Sequence, residues 1–80
     1  MLKSKNIVGS QILCEYESSN IKKAMFDSNA KVLEITFNSG SSYVYEGVSH
    51  EIFAAFNAAD SQGKYFNQNI NKKFNFKKKE

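Results

Sequence analysis

The sequence has few of the residues on which catalytic and metal chemistry depend. Its 80 residues include one cysteine, one histidine and no arginine, so all eleven basic residues are lysine. Cys14 alone cannot form an internal disulfide, and His50 alone supplies neither a catalytic dyad nor the ligand cluster of a structural zinc. Without arginine there is no bidentate fork for phosphate or guanine. We therefore predict a non-enzymatic protein that needs no metal and no cofactor.

Long apolar runs are also missing. No stretch approaches the roughly 20 residues that span a bilayer, and no signal peptide is visible, which predicts a cytoplasmic protein of a bacterium or an infected host cell. The lysine- and asparagine-rich composition is typical of an AT-rich bacterial or phage genome. A chain this short buries only about 60% of its unfolded surface. Because no disulfide compensates, we expect a homo-oligomer.

The charge that is present lies unevenly along the chain. Residues 64–80 hold six lysines and one acid, whereas residues 1–63 hold five lysines and seven acids, and the whole chain is +3. A nearly neutral body with a basic C-terminal end attracts polyanions, but the same pattern is typical of a solvated tail that aids solubility. Both interpretations stay open on charge alone.

Apolar periodicity predicts an α+β fold. Residues 21–27, 32–38 and 42–48 alternate as strands, and the turn at 38–41 contains Gly40, so they form a three-stranded antiparallel meander. Ser49 and Ser61 occupy N-cap positions of two C-terminal helices that pack against the sheet. Core positions are assigned to four phenylalanines: Phe37, Phe53, Phe56 and Phe66.

The ends of the chain are less regular. Residues 1–17 are predicted to be an N-terminal extension that adds a fourth strand if Ile12, Cys14 and Tyr16 alternate across a sheet. Residues 18–74 form the central domain, and residues 75–80 a basic tail. Phe74 and Phe76 alternate before the last lysines and predict a short extended piece that docks on the domain.

Two motifs in the central segment resemble the KTSC domain, a small module named for its occurrence at the C-terminus of some lysyl-tRNA synthetases. The first is F-x-x-G-x-x-Y-x-Y-x-x-V, which runs here from Phe37 to Val48. The second is A-x-S-x-G-x-Y-F-N-x-x-I, which runs from Ala59 to Ile70. The resemblance covers residues 18–74 and implies nucleic-acid binding as the expected function.

The second motif also carries the candidate ligand site. If Ser61 caps a helix, the amides that follow it face an anion, Gly63 permits close approach and Lys64 adds charge. The competing interpretation is that Ser61 satisfies those amides itself, and it is favoured for this feature. Predicted ligand contacts are Ser61, Gly63, Lys64, Tyr65, Asn67, Lys72 and Lys73. Two tyrosines, Tyr43 and Tyr45, are further aromatic contacts because their hydroxyls reach water or a ligand readily.

Three functions from different classes fit these features. The favoured one is a non-catalytic protein that binds a phosphate-bearing ligand, with RNA or DNA preferred. The second is an oligomeric phage counter-defence protein that sequesters a nucleotide signal. The third is a module that inhibits or recruits a host protein through a sheet edge or residues 1–17.

Overall fold

The computed structural model describes residues 2–79, in which six strands form one antiparallel sheet. Its strands are β1 (Leu2–Val8), β2 (Gln11–Tyr16), β3 (Ile21–Asp27), β4 (Val32–Phe37), β5 (Ser42–Glu46) and β6 (Asn75–Lys79). They lie side by side in chain order. Met1 and Glu80, the outermost residues of the predicted extension and tail, lie outside the described residues.

Two helices follow β5 and cover one face of the sheet. They are α1 (His50–Ala58) and α2 (Gln62–Asn69). The Ser49 side chain accepts a hydrogen bond from the amide of Ile52, which confirms the predicted N-cap of α1. The helices place Phe53, Phe56 and Phe66 in the core, as predicted, while Phe37 is half-buried at its border.

The helix-covered face of the sheet supplies the other half of the core. Its buried side chains come from alternate positions of four strands: Cys14, Tyr16, Ala24, Phe26, Leu33, Ile35 and Tyr45. The ring of Phe26 stacks on that of Phe53 with centroids 4.7 Å apart. A bulge between Ile21 and Lys23 returns Ile21 to the covered face, where it is fully buried. The opposite face of the sheet has no helix over it.

The prediction of three or four strands was wrong, because the sheet has six. β1 and β6 are its edge strands, and neither has an alternating apolar pattern: β1 reads LKSKNIV and β6 reads NFKKK. An edge strand is held by backbone hydrogen bonds on one side and leaves most side chains in water. Apolar periodicity therefore reveals such a strand poorly, and lysines are common there. The alternation of Phe74 and Phe76 predicted a short docked extended piece, but not a sixth strand of the sheet.

Turn chemistry fixes the connections between strands. Gly9 takes a positive φ of 59° in the β1–β2 turn, and Gly40 takes 97° in the β4–β5 turn. The Asp27 carboxylate accepts hydrogen bonds from the amides of Ala30 and Asn29 and from Ser10 Oγ, and these bonds lower its pKa. Within residues 2–79, no helix is long and apolar enough to cross a membrane.

Candidate functional site

The N-terminus of α2 is capped by its own serine. Ser61 Oγ accepts a hydrogen bond from the amide of Lys64 at 3.2 Å, and the Ser61 carbonyl accepts one from the amide of Tyr65 at 3.1 Å. Gln62 and Gly63 are buried, whereas the side chain of Lys64 is exposed. The capping interpretation is confirmed, and it accounts for Ser61 without a ligand.

A groove lies beside this helix. It encloses about 350 Å³, and its nine lining residues are uncharged. They are Ser19, Asn20, Ile21, Phe37, Asn38, Ser39, Gly63, Phe66 and Asn67. Two of the predicted ligand contacts, Gly63 and Asn67, meet here because residues four apart share a helix face. We call this feature the polar groove: side-chain amides and hydroxyls line it together with two phenyl rings.

Hydrogen bonds fix the loop before β3, which contributes Ser19 and Asn20 to the lining of the polar groove. Ser18 Oγ accepts hydrogen bonds from the amides of Asn20 and Ile21, and the Asn38 amide donates to the Asn20 carbonyl at 2.8 Å. Asn38 Nδ2 also donates to the Ser18 carbonyl at 2.9 Å. A β-carbon on Gly63 would lie 3.2 Å from Asn20 Nδ2. Glycine at 63 therefore allows the loop to pack against α2.

A row of aromatic rings leads from the polar groove to the edge of the sheet. The ring of Phe37 contacts that of Tyr43 edge-on with centroids 5.9 Å apart, and Tyr43 contacts Phe76 at 6.1 Å. We call Phe37, Tyr43 and Phe76 the aromatic strip. Phe76 is 49% exposed, and its other neighbour is the ring of Tyr45 at 5.7 Å. The strip thus ends in an aromatic side chain that is held by two others and open to solvent.

The three lysines of β6 point to different sides of the sheet. Lys78 is paired with Tyr43 in the strand register, so it lies on the same face as the aromatic strip. Lys77 and Lys79 project to the uncovered face, and Lys79 Nζ forms an ion pair with Glu34 at 3.2 Å. The predicted contacts Lys72 and Lys73 lie exposed in the connection between α2 and β6. Of the three β6 lysines, therefore, only Lys78 lies on the face of the sheet that carries the aromatic strip.

Two predicted ligand contacts, Tyr45 and Tyr65, belong neither to the polar groove nor to the aromatic strip. Tyr45 is only 3% exposed beneath α2, where its ring meets Phe66 at 5.5 Å, so it is a core residue and not a solvent-facing contact. Burial, with a smaller contribution from the neighbouring Tyr43 phenol, raises the pKa of Tyr45 to about 12. Tyr65 is half-buried against Phe56, on a different side of α2 from Asn67.

The sequence predicts Lys77–Lys79 as a source of attraction for a polyanion, but it does not single out Phe76 as a contact, although a signal for it is present. The segment KKFNFKKK, residues 72–79, interleaves aromatic rings with lysines, which is typical of single-strand binders. Sequence alternation assigns Phe74 and Phe76 to one face but cannot tell which is covered. In the structure Phe74 packs against the core and Phe76 is exposed.

Metal chemistry has no apparent centre in the described chain. Across residues 2–79, no group of three or more histidine, cysteine, aspartate or glutamate side chains could hold a metal ion. Cys14 is buried, and its Sγ accepts a hydrogen bond from Asn57 Nδ2 at 3.5 Å. The chemistry available at the candidate site is that of amides, hydroxyls, aromatic rings and ammonium groups.

Comparison with known proteins agrees with this architecture. The family model of the KTSC domain matches residues 17–74. An uncharacterized protein of Stutzerimonas stutzeri is 40% identical over 52 residues, which are 65% of this chain and 73% of that protein. A protein of Tsukamurella paurometabola is 34% identical over 58 residues, 72% of this chain and 87% of that one.

A solved structure extends the similarity. The crystal structure of a KTSC domain protein from Yersinia pestis superposes with a TM-score of 0.83 at 30% identity. The superposition covers 88% of this chain and 99% of that one. It therefore includes residues outside 17–74, the span of the family model.

Proposed function

The chain belongs to the KTSC domain family, and from the surface described above we propose that it is a non-catalytic protein that binds single-stranded nucleic acid. The ligand lies along the aromatic strip, with its phosphates near Lys78, Lys72 and Lys73. Bases in a duplex are stacked inside it and cannot reach protein rings, so the strip suits unpaired bases.

The exposed ring of Phe76 is the observation that carries this proposal. A large aromatic side chain half open to water on an edge strand has no role in the core. Its contacts with Tyr43 and Tyr45, at 6.1 and 5.7 Å, hold it in place, so stacking on it would cost little side-chain entropy. Stacking of a base on such a ring contributes about 1–3 kcal/mol.

Lysines beside the strip supply attraction that does not depend on sequence. Lys78, Lys72, Lys73 and Lys64 are exposed and lie on β6, in the connection before it and on α2. Each phosphate neutralised by a lysine releases counterions, so affinity falls as salt rises. With about four such contacts, the slope of log K against log salt for a single strand is about −3.

The polar groove adds a second type of contact. Asn20 and Asn67 carry side-chain amides, which can pair with the edges of an extruded base. Its volume of about 350 Å³ lies in the range of small-ligand pockets. A base beside Phe37 would then be followed by another on Phe76.

Fluorescence anisotropy with labelled single-stranded RNA and DNA tests the proposal. We expect saturable binding whose salt slope is near −3, with a duplex of the same sequence bound more weakly. Free cyclic dinucleotides, added as competitors, examine the alternative of a nucleotide-sequestering protein. If the protein binds the cyclic dinucleotide and no oligonucleotide, the result contradicts nucleic-acid binding and supports the nucleotide-sequestering alternative.

Neighbouring lysines on β6 give a matched pair of variants. Lys78→Gln removes a charge beside the strip and is expected to reduce the salt slope by about 0.7. Lys77→Gln removes the same charge from the other face of the same strand and should leave the slope unchanged. Equal slopes for the two variants would show that the strip's face is not the one that binds.

A further inference from the structure

Two asparagine side chains in the polar groove have no partner in the protein. Both Asn20 and Asn67 are exposed, and within residues 2–79 neither side-chain amide bonds to another residue. The main chain of Asn20 is nonetheless held, because its amide donates to Ser18 Oγ at 3.2 Å and its carbonyl accepts from the amide of Asn38 at 2.8 Å. Asn38 differs, since its own Nδ2 donates to the Ser18 carbonyl. The groove therefore presents two side-chain amides that are available to a ligand.

These two amides lie about one helical turn apart along the groove. Asn20 packs against Gly63, where its Nδ2 would lie 3.2 Å from an added β-carbon. Asn67 is four residues further along α2, which is a rise of about 6 Å. The rings of Phe37 and Phe66 line the same groove. A flat ring in the groove is therefore within reach of two amides and of a phenyl ring.

The uncharged lining of the groove decides which part of a nucleotide enters it. None of the nine described residues that line it is acidic or basic, so a phosphate there would leave water without a cation beside it. A base is neutral, and its polar edge atoms can exchange hydrogen bonds with water for hydrogen bonds with amides. The volume of about 350 Å³ is at the lower end of the range of small-ligand pockets, which suits one base. Phosphates then remain outside the groove, near the exposed lysines.

Hydrogen-bonding chemistry distinguishes among the bases. A side-chain amide offers a donor beside an acceptor, so it pairs twice with a base edge that carries the complementary acceptor and donor. Adenine has two such edges that point away from the sugar, because its amino group lies between the acceptors N1 and N7 and has a hydrogen on each side. Guanine carries two acceptors, O6 and N7, on its outer edge. Cytosine has one suitable edge, formed by its amino group and N3, and uracil has a single donor for two amides.

We propose that the polar groove is an adenine-selective subsite, in which Asn20 pairs with one edge of the base and Asn67 with the other. This subsite rests on the proposed function, since its adenine belongs to the single strand that lies along the aromatic strip. Phe37 belongs to both features, so the next bases along the strand reach Tyr43 and Phe76. Those rings accept any base, because every base has a π-face. The protein therefore selects one adenine within a strand that it otherwise binds without sequence preference.

Anisotropy with base-substituted oligonucleotides tests this selectivity. A uridine tract of about ten residues, within the site sizes of single-strand binders, carries one central adenine, cytosine or guanine, and thymidine tracts repeat the series in DNA. We expect the adenine tract to bind about tenfold more tightly than the cytosine and guanine tracts. Two analogues at the central position identify the contacts: purine lacks the amino group, and 7-deazaadenine lacks N7. Purine should lose the whole preference and 7-deazaadenine part of it, although both keep a ring that stacks.

Alanine variants assign the preference to the two asparagines. Asn67→Ala leaves a single amide, which pairs with cytosine as well as with adenine, so the adenine and cytosine tracts should bind equally. Asn20→Ala should have the same effect. Asn69→Ala replaces another exposed asparagine of α2, one that does not line the groove, and should keep the tenfold preference.

The outcomes separate adenine selection from nucleic-acid binding itself. Equal affinities for all the substituted tracts would overturn the adenine subsite and leave the proposed function in place. No binding to any tract would contradict the proposed function, and the subsite with it. Because the analogues are measured on the wild-type protein, they decide the question even if a variant fails to fold. A preference that is unchanged with purine, or that survives both Asn20→Ala and Asn67→Ala, would overturn the subsite equally.

Discussion

At the scale of single residues, Gln62 connects the two helices. Its side chain is fully buried, and Nε2 lies 3.0 Å from the Ala59 carbonyl and 3.3 Å from that of Phe56. The Phe56 carbonyl lies in the last turn of α1 and also accepts a hydrogen bond from the amide of Ala59, the C-cap residue, whose own carbonyl lies just beyond the helix. One side chain on α2 thus satisfies the C-terminus of α1.

Replacing Gln62 by methionine keeps most of the volume and removes the donor. We expect the free energy of unfolding to fall by about 0.5–1.5 kcal/mol, because the part-buried Ala59 carbonyl loses its hydrogen bond from Gln62 Nε2. Urea denaturation followed by circular dichroism measures it. Gln68→Met, on the exposed side of the same helix, is the control, and equal midpoints for the two variants would contradict this role for Gln62.

The tyrosines show how far a residue's role follows from its pattern. Alternation correctly places Tyr43 and Tyr45 on one face of β5, but it predicts the same solvent exposure for both. α2 covers only one end of that face, so Tyr45 is buried and Tyr43 stays half exposed. Which end is covered depends on the packing of α2, through Phe66, against the sheet, and no local pattern encodes that contact.

At the scale of elements, the cap of α2 separates two interpretations of the same motif. Ser61→Asp keeps an N-cap acceptor and adds a negative charge at the helix N-terminus, which stabilises a helix by about 0.3–1 kcal/mol. Because the cap itself occupies the Lys64 amide, we expect nucleic-acid affinity to change less than about twofold at moderate salt.

Thermal melts and anisotropy on the same Ser61→Asp sample measure both quantities. Ser61→Ala is the comparison variant, expected to lose about 1 kcal/mol of stability. A loss of affinity in Ser61→Asp of tenfold or more would contradict the capping interpretation, because a carboxylate would then be excluding a bound phosphate.

Elements that bury an apolar face could be predicted, including β2 as the possible fourth strand, whereas β1 could not and β6 was predicted only as a short docked piece at Phe74 and Phe76. β3, β4, β5, α1 and α2 follow from alternation, helical spacing and two serine caps. β1 and β6 exist because the backbone of an edge strand pairs with its neighbour whatever its side chains are. The same reason hides part of the candidate site, because Phe76 and Lys78 belong to β6 and not to a tail.

At the scale of the whole molecule, buried phenols link stability to pH. Tyr16 is buried, and its hydroxyl donates a hydrogen bond to Asn57 Oδ1. Burial raises the pKa of this hydroxyl, and the nearby Cys14 raises it further. The pKa of Tyr45 is raised to about 12. A pKa raised in the folded state means that the unfolded chain releases its phenolic protons first, from about pH 10.

The phenols should therefore leave stability unchanged between about pH 7 and pH 9 and lower it as the pH rises from about 10 towards 12. Urea midpoints at intervals across this range measure the fall. Tyr45→Phe should have a shallower decline, since one of the two phenols is gone. A midpoint that does not change up to pH 11 would contradict the burial of these hydroxyls.

Charge acts over the whole molecule, whereas stacking acts at one ring. The net charge of +3 would draw any polyanion, so salt-sensitive binding alone does not identify the strip. A contact with Phe76 is uncharged and survives at high salt. The ring thus distinguishes a binding surface from general attraction.

The most direct test of the account is the affinity of Phe76→Ala for a single-stranded oligonucleotide, measured by anisotropy beside wild type and Ile7→Ala. Both substitutions shorten an exposed apolar side chain on an edge strand. We predict that Phe76→Ala loses about tenfold in affinity, or about 1.4 kcal/mol, at low and at high salt, whereas Ile7→Ala loses none. Equal affinities for Phe76→Ala and wild type would contradict the proposed function.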